Sequence, residues 1–305
     1  MNRRTFAQSL ATAALTAAVP TLPRKALAEA AAASGTDAPF ALSVMLWTVF
    51  NHLPFEERLA KVAESGYNQV ELVGEYSKWT PAEFEKANAA AKRLGITFDA
   101  TAGLHNGVAN PATQDAFLAE LKEAMKPMET LSCPAMIVLS GNVVPELTHE
   151  QQHKASIEAL KRAAAQVEGK TIAGQPVRLL LECIHLEENP KYFLTSADEA
   201  IEVVRAVNHP QVQFLYDMYH EQMMYGNLIS KLDKHIDVIG LIHIADVPGR
   251  HQPGSGEINY WNIYKKLAQL NYRHNVAMEF EPNGDEVSAL QKAKVEALHP
   301  GAVTA

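Results

Sequence analysis

The chain has 305 residues, with 35 acidic against 27 basic side chains and a formal net charge of −8 when histidine is neutral. An excess of acid argues against a nucleic-acid partner, because affinity for nucleic acid comes largely from phosphates neutralised by Lys and Arg. After the first 28 residues no run is apolar for the ~20 residues that a spanning helix needs, so no stable membrane insertion is expected.

The N-terminus reads as an export leader. Asn2-Arg3-Arg4-Thr5-Phe6 opens a twin-arginine signal, an uncharged apolar stretch runs from Leu10 to Val19, and Ala26-Leu27-Ala28 is a small-residue cleavage site. Arg24 and Lys25 before the cut suit a route that exports folded proteins. The reading predicts a signal peptide over 1–28, cleavage after Ala28, the twin-arginine export machinery as a partner and a periplasmic location. Residues 29–39 form a mobile lead-in, and 40–305 one catalytic domain. Without the leader, which holds four basic residues and no acidic ones, 277 residues remain with 23 basic against 35 acidic. That length suits one (β/α)8 barrel of ~250 residues.

From residue 40 onward strand and helix patterns alternate. Residues 42–47 predict strand 1, and 55–65 a helix stopped by Gly66. Residues 69–73 are strand 2, followed by a helix near Pro81 with Thr80 as N-cap and Gly95 as its end. Strand 3 spans 96–101, a helix 111–125, and strand 4 spans 135–139. Thr148 caps a helix reaching about Val167, and Gln151 at its third position completes a capping box. Strand 5 is 177–183, then a helix over 196–207 with Ser196 as N-cap. Strand 6 is 212–216, with a short helix over 227–233. Strand 7 is 238–244, with a helix over 260–270. Strand 8 is 276–280, and 286–297 the last helix. Eight strands, each followed by a helix, imply a parallel sheet, and eight units favour closure into a single (β/α)8 TIM barrel over an open sheet. Cys133 and Cys183 fall at opposite ends of neighbouring strands, too far apart to bridge across the ~7 Å Cα limit, so two free thiols are expected.

Four apolar runs each end in one polar residue: VRLLLE at Glu182, QFLYD at Asp217, VIGLIH at His243 and VAME at Glu279. Charge at the end of a strand buried on both faces costs several kcal/mol unless it is paired or bound to a cation. Sites in such barrels lie at the C-terminal ends of the strands, where all four residues fall. The set Glu182, Asp217, His243 and Glu279 therefore points to a divalent metal. Three carboxylates with one imidazole favour Mn²⁺ first and Mg²⁺ second, with Co²⁺ or Zn²⁺ as further candidates. No CxxC pattern suggests structural zinc. Other polar residues gather in the same loops. His220 follows Asp217 in a short turn, Glu188 lies six beyond Glu182, Arg250 can grip a carboxylate bidentately, and Trp47 and Phe50 lie beyond strand 1 as pocket floor or core. Glu71 and Glu75 are candidates to orient substrate or His220, and Glu257 to cap the helix at 260.

The chain resembles the xylose isomerase-like barrels and, within them, the hydroxypyruvate isomerases. The stretches MLWTVFNHLPFEERLAKVAESGYNQVEL, YDMYH, IADVPGRHQPGSGEINYWNIY and MEFEPNG carry the resemblance, which covers nearly all of 40–285. It implies metal binding at Glu182, Asp217, His243 and Glu279, an acid/base role for Glu182 and Glu279, and substrate contacts at His220 and Arg250. The chain departs from it in two respects. Some hydroxypyruvate isomerases carry Gln where this chain has His243, and theirs is a cytoplasmic activity whereas this chain has an export signal. Barrels of this family often pair, so a homodimer is compatible with the resemblance. It implies a metal-dependent isomerase that interconverts a small hydroxy-carbonyl substrate through an enediolate, hydroxypyruvate giving 2-hydroxy-3-oxopropanoate. Two alternatives stand beside it: a periplasmic keto-sugar isomerase or C3 epimerase, and a non-catalytic envelope sugar-binding protein. A barrel nuclease of the endonuclease IV type would need a His-rich zinc site and a basic surface, and the sequence has neither.

Overall fold

The computed structural model describes residues 38–299; the leader over 1–28 and the lead-in up to residue 37 lie outside them. Eight parallel strands close into a barrel in chain order. They are β1 (Ala41–Met45), β2 (Gln69–Val73), β3 (Thr97–Ala102), β4 (Ala135–Leu139), β5 (Arg178–Glu182), β6 (Val212–Asp217), β7 (Ile239–Ile244) and β8 (Asn275–Met278). Nine α-helices among the described residues join and surround them: α1 (Phe55–Glu64), α2 (Pro81–Leu94), α3 (Gln114–Leu131), α4 (His149–Val167), α5 (Ala197–Val207), α6 (Met218–Met224), α7 (Leu228–His235), α8 (Tyr260–Gln269) and α9 (Glu286–Leu298).

The core has two layers because strand side chains alternate between faces. Met45, Ala100, Ala135, Ile137, Leu180, Leu215, Leu241 and Ala277 fill the barrel interior. The larger apolar layer lies between strands and helices and includes Phe117, Leu160, Phe214, Tyr216 and Tyr264. This alternation places the site. Leu180, Leu215, Leu241 and Ala277 point inward, so the residues two further along, Glu182, Asp217, His243 and Glu279, point inward as well. Register aligns them: Glu182 stands beside Leu215, Asp217 beside His243, and His243 beside Ala277.

Local chemistry explains most helix limits. Thr80 with Glu83, and Thr148 with Gln151, form capping boxes at α2 and α4. Gly95 ends α2 in the left-handed region at φ 68°. Elsewhere the structure corrects the reading. Helix α3 continues past residue 125 to Leu131 despite Pro127. An interior proline costs about 3 kcal/mol or more, yet Met128 and Leu131 extend the buried face of Phe117, Leu121 and Met125, and that burial prevails. Ser196 precedes α5 but its side chain caps nothing; the Ala197 N–H donates instead to Glu221 Oε2 at 2.9 Å. Asn259, not Glu257, caps α8 by accepting from the Asn262 N–H. Helix α6 and a hairpin pairing Thr171–Ile172 with Gln175–Pro176 were not anticipated. Cys133 and Cys183 are free and buried. The intact mass should be the same with and without reductant, and both thiols should react slowly with alkylating reagents until the protein is denatured.

Candidate active site

Glu182, Asp217, His243 and Glu279 each present a ligand atom within 4.8 Å of the others, and all four residues are buried. That spread is close to the diameter of a coordination sphere with ~2.1 Å bonds. His243 Nδ1 and Glu279 Oε2 lie 2.6 Å apart, but neither makes an aligned hydrogen bond. Two buried electron-pair donors aimed at one point are what a cation would satisfy, so the residues fit a divalent metal. On the far side of the ring, His243 Nε2 lies 2.8 Å from Glu71 Oε2. A carboxylate in that place fixes the tautomer and plane of a ligating imidazole. Glu71 thus orients His243, not His220 or substrate. Glu75 lies apart from the cluster, its carboxylate accepting from the Val73 N–H and standing 3.9 Å from Arg58.

Asp217 has two tasks. Its Oδ1 accepts from the backbone N–H of Tyr219 and His220, at 2.7 and 3.1 Å, and so caps α6. Its Oδ2 stays toward the site, 3.4 Å from His220 Nε2 and 3.4 Å from Arg250 Nη2. Trp47 Nε1 donates to Glu279 Oε1 at 3.0 Å. The Arg250 guanidinium sits between the rings of Trp47 and Tyr219, 5.4 and 5.2 Å from their centroids, and reaches Glu279 Oε2 at 2.9 Å and Glu188 Oε2 at 3.3 Å.

These surroundings pull the carboxyl groups apart. Burial, then repulsion from Glu279, pushes Glu182 up to about 8. Burial likewise raises Asp217 to about 6, against the pull of Arg250. Burial also works to raise Glu279, but Arg250 and His243 outweigh it and hold this carboxyl below its usual range. Burial works to lower His243, and its two glutamates, Glu279 and Glu71, outweigh that and raise it well above the ordinary histidine value. Burial and Arg250 depress His220 to about 3.

The loop after β7 delivers Arg250, and Asp246 builds that loop. Its fully buried carboxylate accepts from the backbone N–H groups of Val247, Gly254, Gly256 and Ile258, each at 2.9 Å. Gly256 is required for this closure, since a Cβ there would lie 2.0 Å from the Val247 carbonyl oxygen. Gly256→Ala should therefore displace Arg250 and lower kcat/KM by about 10²-fold, the scale of a ~1 Å misplacement. The barrel should stay folded, which circular dichroism and kinetics on the same sample would check.

All eight anticipated site residues come together. Trp47, Glu182, Glu188, His220, His243, Arg250 and Glu279 line one pocket of about 260 Å³, and Asp217 lies at its wall. Phe50 is core instead, 3% exposed. Sequence reasoning missed His185, Tyr219 and Asp246. His185 lies only three residues beyond Glu182, and Asp246 opens a Gly/Pro-rich loop straight after β7; both signals were available. Tyr219, within an aromatic run, offered none.

The fold and this cluster together define a barrel with three carboxylates and one imidazole gathered at the C-terminal ends of its strands. The chain belongs to the xylose isomerase-like TIM barrel family, which matches residues 59–297. The 2-oxo-tetronate isomerase of Haemophilus influenzae is 30% identical over 251 residues, covering 80% of this chain and 95% of that protein. The hydroxypyruvate isomerase of Escherichia coli is 28% identical over 246 residues, covering 79% and 93%. The crystal structure of an AP endonuclease, family 2, from Brucella melitensis superposes with a TM-score of 0.72 at 27% identity, covering 82% and 96%. With isomerases as its relatives over most of its length, the chain is an isomerase.

Proposed function

We propose that the protein is a divalent-metal-dependent isomerase of short hydroxy-oxo acids, interconverting hydroxypyruvate or a four-carbon homologue with the 2-hydroxy-3-oxo isomer. The carrying observation is the pocket itself. At about 260 Å³ it falls below the ~300–1,000 Å³ of sites for drug-sized ligands. Its β1–β4 side is apolar, formed by Met45, Val73, Ala102, Ile137 and Leu139, and its other side carries Glu182, Glu188, His220, His243, Arg250 and Glu279. A three- or four-carbon acid places all its oxygens on the polar side. A hexose would press hydroxyls against hydrocarbon without partners, which costs free energy for each one. Arg250 is suited to the substrate carboxylate. The similarity to hydroxypyruvate and 2-oxo-tetronate isomerases supports the same class.

Glu182, Asp217, His243 and Glu279 would hold the cation, Mn²⁺ first and Mg²⁺ second. When bound, it would polarise the carbonyl and hydroxyl oxygens of the substrate and offset the negative charge that develops there. Glu182 and Glu279, whose proton affinities the site drives apart, serve as the acid/base pair. One takes the proton from the carbon bearing the hydroxyl, leaving an enediolate. A proton is then returned to the former carbonyl carbon, and the hydroxyl and carbonyl exchange places. The test is to incubate the Mn²⁺- or Mg²⁺-loaded protein in D₂O with hydroxypyruvate, 2-oxo-tetronate and ketohexoses. Deuterium should enter the acids alone. Exchange confined to ketohexoses would instead mean a sugar epimerase or isomerase, and tight binding without exchange in any compound would mean a binding protein.

We also propose export by the twin-arginine route, from the Arg3-Arg4 pair and the apolar stretch behind it. Changing Arg3-Arg4 to Lys-Lys should retain the protein in the cytoplasm; unchanged fractionation would count against the route.

A further inference from the structure

Beside the four-residue cluster stands a second group that the proposed reaction leaves unexplained. His185, in the loop after β5, is 1% exposed, and its Nδ1 lies 2.6 Å from Nδ1 of His220, itself 4% exposed. The rings are tilted by 34° with centroids 4.8 Å apart, and Tyr219 packs edge-on against His185 at 5.4 Å. At 2.6 Å one nitrogen must carry the hydrogen and the other must accept it. The other edges of the rings decide which. The carboxylate oxygen nearest His220 Nε2 is Asp217 Oδ2 at 3.4 Å, so this nitrogen carries a hydrogen. His185 Nε2 is buried, lacks any hydrogen bond, and stands 3.9 Å from Glu188 Oε1. It has nothing to donate to at bonding distance and is the nitrogen that can be left bare.

We propose that His185 is a positioning residue: its Nδ1–H donates to Nδ1 of His220 and locks that ring in the tautomer whose Nε2–H faces the pocket. His220 then meets substrate as a fixed hydrogen-bond donor. The same tautomer leaves His185 Nε2 as an acceptor beside Glu188. Ligand atoms of His185, Glu188 and His220 also lie within 4.8 Å of one another. However, the two Nδ1 atoms face one another along an aligned hydrogen bond, unlike His243 Nδ1 and Glu279 Oε2, whose 2.6 Å approach is not aligned as one. The 2.6 Å contact is a hydrogen bond, not half of a coordination shell. The inference rests on the isomerase reading only in so far as substrate meets His220.

The test uses three proteins loaded with diamagnetic Mg²⁺: wild type, His185→Asn and His185→Leu. Asn places an amide N–H near the lost ring Nδ1, whereas Leu fills the space without a donor. Nitrogen-15 spectra of wild type should show a bare Nδ1 and a protonated Nε2 on His220. That pattern should persist in His185→Asn and be lost in His185→Leu. The Leu variant should lose about 10–100-fold in kcat/KM, by analogy with partners that orient metal-bound imidazoles, and Asn should recover most of it. A protonated His220 Nδ1 in wild type overturns the proposal. So does full activity in His185→Leu, or an equal loss in both variants with His220 signals unchanged. If wild type turns over none of the acids, the isomerase reading fails, while the nitrogen spectra still decide the tautomer.

Discussion

Glu182→Gln and Glu279→Gln should each lower turnover by about 10²–10⁴-fold, the contribution of one positioned proton-transfer group, while leaving the barrel folded. Gln keeps the size and the amide oxygen but cannot take or give a proton. Each Glu also stands among the candidate ligands, so metal content must be measured on the same samples; loss of turnover with the cation retained isolates the proton-transfer role. The two variants should differ in stability once a chelator has removed the cation. Burial has raised Glu182 to about 8, so ionising it opposes folding, progressively as pH rises from the ordinary glutamate range through 8. Removing it should leave the chelated protein at least as stable at pH 8. Glu279 is held below its usual range by Arg250 and His243. Its charge favours folding above that range, and Gln there should destabilise. Near-native turnover in both variants, with metal bound, would show that this pair does not move the proton.

Much of this site was legible because strand geometry leaves little freedom. A strand buried on both faces ends where a charged residue appears, and the two-residue period ties that residue to the interior position before it. Leu180, Leu215, Leu241 and Ala277 thus aim Glu182, Asp217, His243 and Glu279 at one point. Capping boxes were legible for a similar reason, since both halves lie within four residues. What sequence did not reveal depends on distant partners. Glu71 meets His243 across 172 residues, and the first amide of α5, that of Ala197, donates to Glu221, 24 residues away. Helix α6 hid because Asp217 caps it while reading as the end of a strand, and seven residues carry no periodic signal. Helix α3 outruns its expected end at residue 125 because the local penalty of Pro127 is outweighed by burial of Met128 and Leu131.

Chelation of the purified protein should abolish deuterium exchange, and adding back Mn²⁺ should restore it with an affinity that rises with pH. The reason lies in which protons occupy the cluster before the cation arrives. Glu279 and Glu71 raise His243 well above the ordinary histidine value, and burial raises Glu182 to about 8. Near pH 7 both groups therefore hold protons, and ligation requires that they leave. The sign follows: both folded values are raised, so protonation favours the chelated fold, and that contribution fades as pH climbs through those values. Cation binding competes with the same protons, and each one released should steepen the affinity by about tenfold per pH unit until its group has ionised. Asp217→Asn removes a ligand charge but leaves an oxygen to cap α6, so it should weaken Mn²⁺ binding with the helix intact. Calorimetric titration at pH 7 in two buffers of different ionisation enthalpy would read the protons directly. Heats that do not depend on the buffer would mean that Glu182 and His243 do not bind this cation, and the ligand set would have to be redrawn.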